Sequence, residues 1–292
     1  MRKLPIKSQF TILIFNLYYS TNPTGLCYNK FTMAKLNLWD THAHLDDPQF
    51  DSDRDELIPQ LGETLAGIIN PAIDLDSCEK IMQLTEKYPF IYAAVGWHPE
   101  NLKGIPDDFE DRIAHWAQHP KVVAIGEIGL DYYWLENEPP EVQKKILLRQ
   151  LDLCKQLNLP FLFHDREAHG DTMEIFQKEI TGVRGVFHCY SGSLEMAKEL
   201  AKRGFYFGFG GTSTYKNSQK TREVMQWVPK ELMLFETDSP YLSPVPFRGK
   251  RNNPAYTEYT ARNAATVLNM DFEELLDITT KNTLELFKKI PR

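Results

Sequence analysis

Eight times in succession, from residue 36 onward, a short apolar run gives way to an amphipathic segment. The runs cover 36–42, 65–71, 91–97, 122–127, 160–164, 185–188, 205–209 and 232–237. Between them, apolar residues recur at helical spacing over 51–62, 76–88, 107–118, 138–157, 167–179, 193–202 and 219–227, and again over 258–268 and 272–288. Strict alternation of strand and helix implies parallel strands joined by crossover helices. Eight such units over about 250 residues predict an α/β fold of the closed (β/α)8, or TIM, barrel type. A doubly wound open sheet is the competing arrangement, but no G-x-G-x-x-G follows the first run.

The first run closes on Asp40-Thr41-His42-Ala43-His44. Side chains alternate along a strand, so His42 and His44 are expected on one face with Leu36, Leu38 and Asp40. Alone, the pair is equally a strand cap. Four further runs, however, also end in a metal-compatible side chain: Glu127, His164, His188 and, past Glu236, Asp238. Each has a plain structural reading, as a hydrogen-bond acceptor, a satisfied core histidine or a turn residue. Barrel enzymes carry their chemistry at the C-terminal strand ends, where all of these fall. A carboxylate there is costly to bury unless it is paired or metal-bound. Four imidazoles and two carboxylates without a thiolate suit Zn, Mn, Co or Ni ions, and carboxylates also hold Mg. Six donors exceed what one open tetrahedral site needs and fit two divalent cations sharing a carboxylate, as in hydrolytic two-metal centres.

The remaining features narrow the setting. In 292 residues, 33 Lys and Arg stand against 40 Asp and Glu, a net charge of −7. That balance argues against a basic surface coating duplex DNA, although two divalent ions would make a local anion-attracting pocket. Cys27, Cys78, Cys154 and Cys189 show no C-x-x-C spacing and read as free thiols of a reducing, cytoplasmic compartment. Alternation turns Cys189 away from His188, as a buried structural thiol. Residues 1–32 form an N-terminal extension. Its segment Phe10-Thr11-Ile12-Leu13-Ile14-Phe15-Asn16-Leu17-Tyr18-Tyr19 resembles a short signal peptide but is too brief for a membrane span. Met33-Ala34-Lys35 reads equally as a natural start. One barrel domain is expected over 33–292, with no membrane association and no obligate protein partner.

Several motifs in order carry a family resemblance: Asp40-Thr41-His42-Ala43-His44-Leu45-Asp46, Gly96-Trp97-His98-Pro99, Gly126-Glu127-Ile128-Gly129-Leu130-Asp131, His164-Asp165-Arg166, Phe187-His188-Cys189-Tyr190-Ser191-Gly192, Glu236-Thr237-Asp238-Ser239-Pro240-Tyr241-Leu242 and Arg248-Gly249-Lys250-Arg251-Asn252-Asn253-Pro254. From about Met33 to the C-terminus the chain resembles the TatD family of metal-dependent hydrolases, amidohydrolase-like TIM barrels that act largely as divalent-metal-dependent deoxyribonucleases. The resemblance implies that His42 and His44, with Asp238, hold a first metal. It also implies that Glu127 bridges, that His164 and His188 hold a second metal, and that Asp238 moves the proton of the attacking water. Phe247, where many relatives carry a polar residue, and the glycine-rich Phe209-Gly210-Gly211-Thr212-Ser213-Thr214 depart from the common pattern.

Beyond the ligands, His98 is a candidate for positioning a phosphate or leaving oxygen, or a turn histidine. Arg166 suits bidentate phosphate recognition. Arg248, with Lys250 and Arg251, forms either a phosphate clamp near the metals or a solvated basic loop. Asp40 and Glu236 are expected below the ligands, orienting metal-bound histidines. The favoured activity is a deoxyribonuclease whose partner is DNA, single-stranded or at ends. A deacylase or amidohydrolase would need the same ligands, because the same centre can attack a carbonyl. A non-catalytic, metal-retaining barrel is the third alternative.

Overall fold

The computed structural model describes residues 35–134, 138–178 and 180–292. The expectations for residues 1–32, and the final residue of the helix expected over 167–179, lie outside the described residues. Eight strands, β1 (Trp39–Asp40), β2 (Gly67–Pro71), β3 (Ile91–Val95), β4 (Val122–Asp131), β5 (Phe161–Arg166), β6 (Gly185–Phe187), β7 (Tyr206–Phe209) and β8 (Met233–Phe235), follow one another around a single parallel sheet in sequence order. Seven helices cross between them: α1 (Arg54–Thr64), α2 (Leu75–Lys87), α3 (Phe109–Trp116), α4 (Pro140–Leu157), α5 (His169–Lys178), α6 (Leu194–Lys202) and α7 (Gln219–Trp227). Helices α8 (Thr257–Leu268) and α9 (Phe272–Leu286) follow β8. This is the (β/α)8 barrel.

Local chemistry sets the helix ends. Asp74 opens α2 with a capping box, accepting the Ser77 N–H at 2.8 Å while Ser77 Oγ accepts the Asp74 N–H. Ser193 accepts the Met196 N–H and starts α6. Asn158 and Asn269 end α4 and α8 in the left-handed conformation.

Packing follows strand parity. Every strand contributes to one buried cluster, through Trp39, Ile69, Ala94, Val123, Leu162, Val186, Tyr206 and Leu234, and Leu286 and Phe287 of the C-terminal segment pack with it. These residues fill the barrel interior. The opposite faces, among them Ile68, Ile91, Phe161, Phe163, Phe187, Phe207 and Phe235, join the larger cluster beneath the helices.

Strand bounds shift by a residue or more throughout, and two of the differences bear on the site. The first regular strand ends at Asp40. Beyond it the chain closes the barrel against β8: Thr41 donates to the Phe235 carbonyl at 3.0 Å, Asp238 to the His42 carbonyl at 2.8 Å, and Ala43 bridges Ser239. Leu38 lies in the outer cluster and Trp39 in the inner one, so simple alternation would have turned His42 outward. The departure from strand geometry brings it inward instead. Strand β4, in contrast, continues to Asp131, because its register against β5 shifts between Ile125 and Ile128. A bulge of this kind re-aims a side chain at a barrel rim, here that of Glu127. Past the bulge Gly129 pairs with His164, and a Cβ on it would stand 1.9 Å from the His164 carbonyl oxygen.

Candidate metal centre

All six expected donors meet at the C-terminal end of the barrel. Glu127, 3% exposed, lies among them and divides them by its two oxygens. Oε2 faces His42 Nε2 at 3.2 Å and His44 Nε2 at 3.5 Å. Oε1 faces His164 Nδ1 at 3.0 Å and His188 Nε2 at 2.8 Å. Asp238 joins the first group, its Oδ1 lying 3.4 Å from His44 Nε2 and 3.8 Å from His42 Nε2. Within each histidine pair the facing nitrogens are 3.3 Å apart. Two imidazole nitrogens at that distance repel unless a proton or a cation lies between their lone pairs. Three donor groups, His42–His44–Glu127, His42–His188–Asp238 and Glu127–His164–His188, each place their atoms within 4.8 Å of one another. The nitrogen and oxygen donors fit hard or borderline divalent cations.

Electrostatics describes the same pocket from the protons' side. Burial opposes charge on His44 and His164, but Asp238 and Glu127 for the first, and Asp131 and Glu127 for the second, outweigh it and raise both to about 9. Burial likewise opposes charge on His188, yet Glu127 and Glu236 push it well above its ordinary value. Burial and the neighbouring His188 lower His42. Glu127 is held well below the usual carboxylate range, its burial overcome by His188, His42 and His98. The cluster attracts positive charge.

Three groups fix the donors. Asp131 Oδ2 lies 2.8 Å from His164 Nε2, which leaves Nδ1 to face the centre. Glu236 Oε1 sits 3.5 Å from His188 Nδ1 and accepts the Cys189 N–H. Asp40 grips backbone, not an imidazole: it accepts the His42 N–H at 3.2 Å and the Thr237 N–H at 2.9 Å, with Thr237 Oγ1 at 2.5 Å. Glu236 therefore stands beside the imidazole it is expected to orient without hydrogen-bonding it, whereas Asp40 clamps the β1–β8 seam. Asp131 was missed. Its sequence signal was the Gly126-Glu127-Ile128-Gly129-Leu130-Asp131 motif itself, read as a strand end followed by a loop.

The centre opens into a cavity of about 850 Å³, lined by His44, His98, Glu127, His164, His188 and Asp238. His98 accepts the Glu100 N–H on Nδ1 at 3.2 Å, so its neutral ring carries the proton on Nε2, 3.6 Å from Glu127 Oε1. Arg166, the last residue of β5, lines the same cavity. One expectation is corrected, and one open alternative is narrowed. Cys189 does not turn away: β6 ends at Phe187, Cys189 takes a left-handed φ of 42°, and it forms part of the cavity wall. Its thiol is pushed up to about 12 by burial and by Glu236. The basic loop after β8 is not gathered at the centre either. Arg248 stacks 4.4 Å from the Tyr215 ring, Arg251 is tied to Asp53 by bonds of 2.8 and 2.6 Å, and neither lines the cavity.

Barrel and donor cluster together define a metal-dependent hydrolase. The model of the TatD-related DNase family matches residues 39–288, and the chain belongs to that family. It is 42% identical over 253 residues to the uncharacterized metal-dependent hydrolase YabD of Bacillus subtilis, covering 86% of this chain and 99% of that protein. The crystal structure of YjjV, a TatD homolog from Escherichia coli, superposes with a TM-score of 0.80 at 31% identity, covering 87% of this chain and 99% of that one. A TatD family hydrolase from Entamoeba histolytica shares the fold, with a TM-score of 0.77 at 23% identity over 88% of this chain and all of that one. No helix among the described residues is long and apolar enough to cross a membrane.

Proposed function

We propose that the chain is a deoxyribonuclease that cleaves phosphodiester bonds with water, using two divalent cations held by its six-donor cluster. One observation carries the reading: Glu127 presents a separate oxygen to each histidine pair, and Asp238 Oδ1 lies 3.4 Å from His44 Nε2 and 3.8 Å from His42 Nε2. His42, His44 and Asp238 would hold one cation, His164 and His188 the other, and Glu127 both. When bound, such ions supply Lewis acidity toward a phosphoryl oxygen and toward water.

The protein's own groups account for the rest. Asp238 stays ionised, because the histidines around it overcome its burial, so its carboxylate can accept the proton of the attacking water. The new P–O bond forms as the bond to the leaving oxygen breaks. His98 offers Nε2–H to a phosphoryl or leaving oxygen, and Arg166 offers a guanidinium at the wall. Arg248, stacked on Tyr215, is left for phosphates farther along the strand. The acidic overall charge favours single strands and ends over coated duplex.

The test is a substrate panel: metal-loaded protein with labelled single-stranded DNA, duplex DNA, carboxyl esters and amides. Preferential cleavage of the single strand is expected. Turnover of an ester or amide without any DNA cleavage in Mg, Mn, Co, Ni or Zn would give the assignment to the deacylase alternative.

A further inference from the structure

At the cavity rim, the turn after β4 exposes two large aromatic rings. Tyr133 is 49% and Trp134 38% exposed, and their rings meet edge to face with centroids 4.6 Å apart. The Arg166 guanidinium lies 4.3 Å from the Tyr133 centroid and 5.9 Å from that of Trp134. Trp134 and Arg166 line the same cavity as Glu127 and His164. Exposed aromatics alone say little, but these are held in place. Asp131 Oδ1 accepts the N–H groups of Tyr133 at 2.9 Å and Trp134 at 3.2 Å, while its Oδ2 orients His164. Buried Gln143 braces this arrangement, accepting the Asp131 N–H and donating to its carbonyl, each at 2.8 Å. One carboxylate thus sets both a metal-facing histidine and the aromatic pair.

Charge gives the direction in which a strand can leave the centre. The segments after β1 and β2, through the first turns of α2, line the cavity with Asp46, Asp47, Asp74 and Asp76 against Lys80. Consecutive phosphates would be repelled along that wall. The arc beyond β4 and β5 instead offers Arg166 and the exposed Tyr133 and Trp134 rings beside a single acid, Asp165.

We infer that Tyr133, Trp134 and Arg166 form a nucleobase-stacking subsite, which takes an unpaired base next to the phosphate at the metal centre. The inference rests on the nuclease reading and deepens it. A base inside a duplex is already stacked on both faces, whereas an unpaired base gains a partner by lying on an aromatic ring, whatever its identity. The subsite therefore selects single strands and frayed ends without selecting sequence.

The test measures binding in an Asp238→Asn background, where the strand survives. Metal-loaded protein is titrated with fluorescein-labelled hexathymidylate and with a hexamer of the same phosphates lacking all bases. Combining Tyr133→Ala with Trp134→Ala is expected to weaken hexathymidylate binding about tenfold or more, and to leave the abasic hexamer within about twofold. Trp134→Phe, with Tyr133 kept, should retain most of the affinity. Equal loss for both hexamers, no loss for either, or a parent protein that binds both hexamers alike or neither would each overturn the subsite. Cleavage of hexathymidylate by the protein with Asp238 intact is read separately. Base-dependent binding without cleavage would defeat the nuclease reading and leave the subsite standing.

Discussion

Asp131→Asn is the substitution whose effect follows most directly from the hydrogen-bond geometry. The side chain keeps its shape but must now donate from one of its two positions. If the amide nitrogen faces His164 Nε2, across the present 2.8 Å contact, that ring nitrogen becomes the acceptor and its proton moves to Nδ1. Nδ1 is the atom 3.0 Å from Glu127 Oε1 and 3.3 Å from His188 Nε2, and once protonated it has no lone pair for a cation. If the amide flips, its nitrogen meets the N–H groups of Tyr133 and Trp134, donor against donor. The flip loses two hydrogen bonds and the first orientation one, so the first is favoured. It forfeits a hydrogen bond from the metal-facing histidine to a charged partner, about 1.5–3 kcal/mol. That equals roughly 10- to 100-fold in affinity, the usual size of a lost orienting contact at a metal-bound histidine. Calorimetric titration with Mn or Zn should show the proposed His164–His188 cation weakened by that factor and the His42–His44–Asp238 cation unchanged. Equal affinity of both sites in wild type and variant would refute the tautomer argument.

Asp238→Asn is expected to lower kcat about 10²- to 10⁴-fold, as for loss of a general base, with the melting temperature nearly unchanged; retained kcat on single-stranded DNA would remove Asp238 from proton transfer. Metal uptake should be strongly pH-dependent. His44 and His164, raised from 6.5 to about 9, are protonated at pH 7 in the metal-free protein, so cations must displace their protons. Affinity should therefore rise between pH 7 and 9, by up to about 100-fold per unit if two protons leave. The stabilisation these protonated imidazoles give the metal-free fold should be full below pH 6.5 and lost through about pH 9. Titration heats in buffers of different ionisation enthalpy count the released protons, and a count of zero would contradict the assignment. Gly129→Ala places a Cβ against the His164 carbonyl, which only movement of β4 or β5 can relieve. A cost of about 3 kcal/mol or more is expected in urea unfolding, and an unchanged midpoint would show that the strands yield easily.

The fold was largely legible because it is periodic. Each apolar run lies on a strand, and the helix expected over 219–227 coincides with α7. What was illegible depends on partners distant in sequence. Strand β1 stops at Asp40 because the barrel closes there through Thr41, Asp238 and the Asp40–Thr237 clamp, the last joining residues 197 apart in sequence. The expected run stops at Glu127, although Gly126 and Gly129 lie within the observed strand. In the sheet they permit a bulge and a close strand approach, which carry β4 on to Asp131. The six donors were visible because strand-end position needs only sequence order. Cys189 was misplaced because it lies where the chain has left its strand, so alternation does not predict its direction. The basic loop stayed open between two placements because proximity to β8 in sequence does not fix where it turns.

The central claim is that two cations, one on either side of Glu127, together cleave DNA. It is tested most directly by adding Mn stepwise to metal-stripped protein while following cleavage of end-labelled single-stranded DNA. Cleavage that reaches its plateau at two equivalents, and that Glu127→Gln abolishes, is the expected result. A plateau at one equivalent, or no cleavage at any ratio, would contradict the claim.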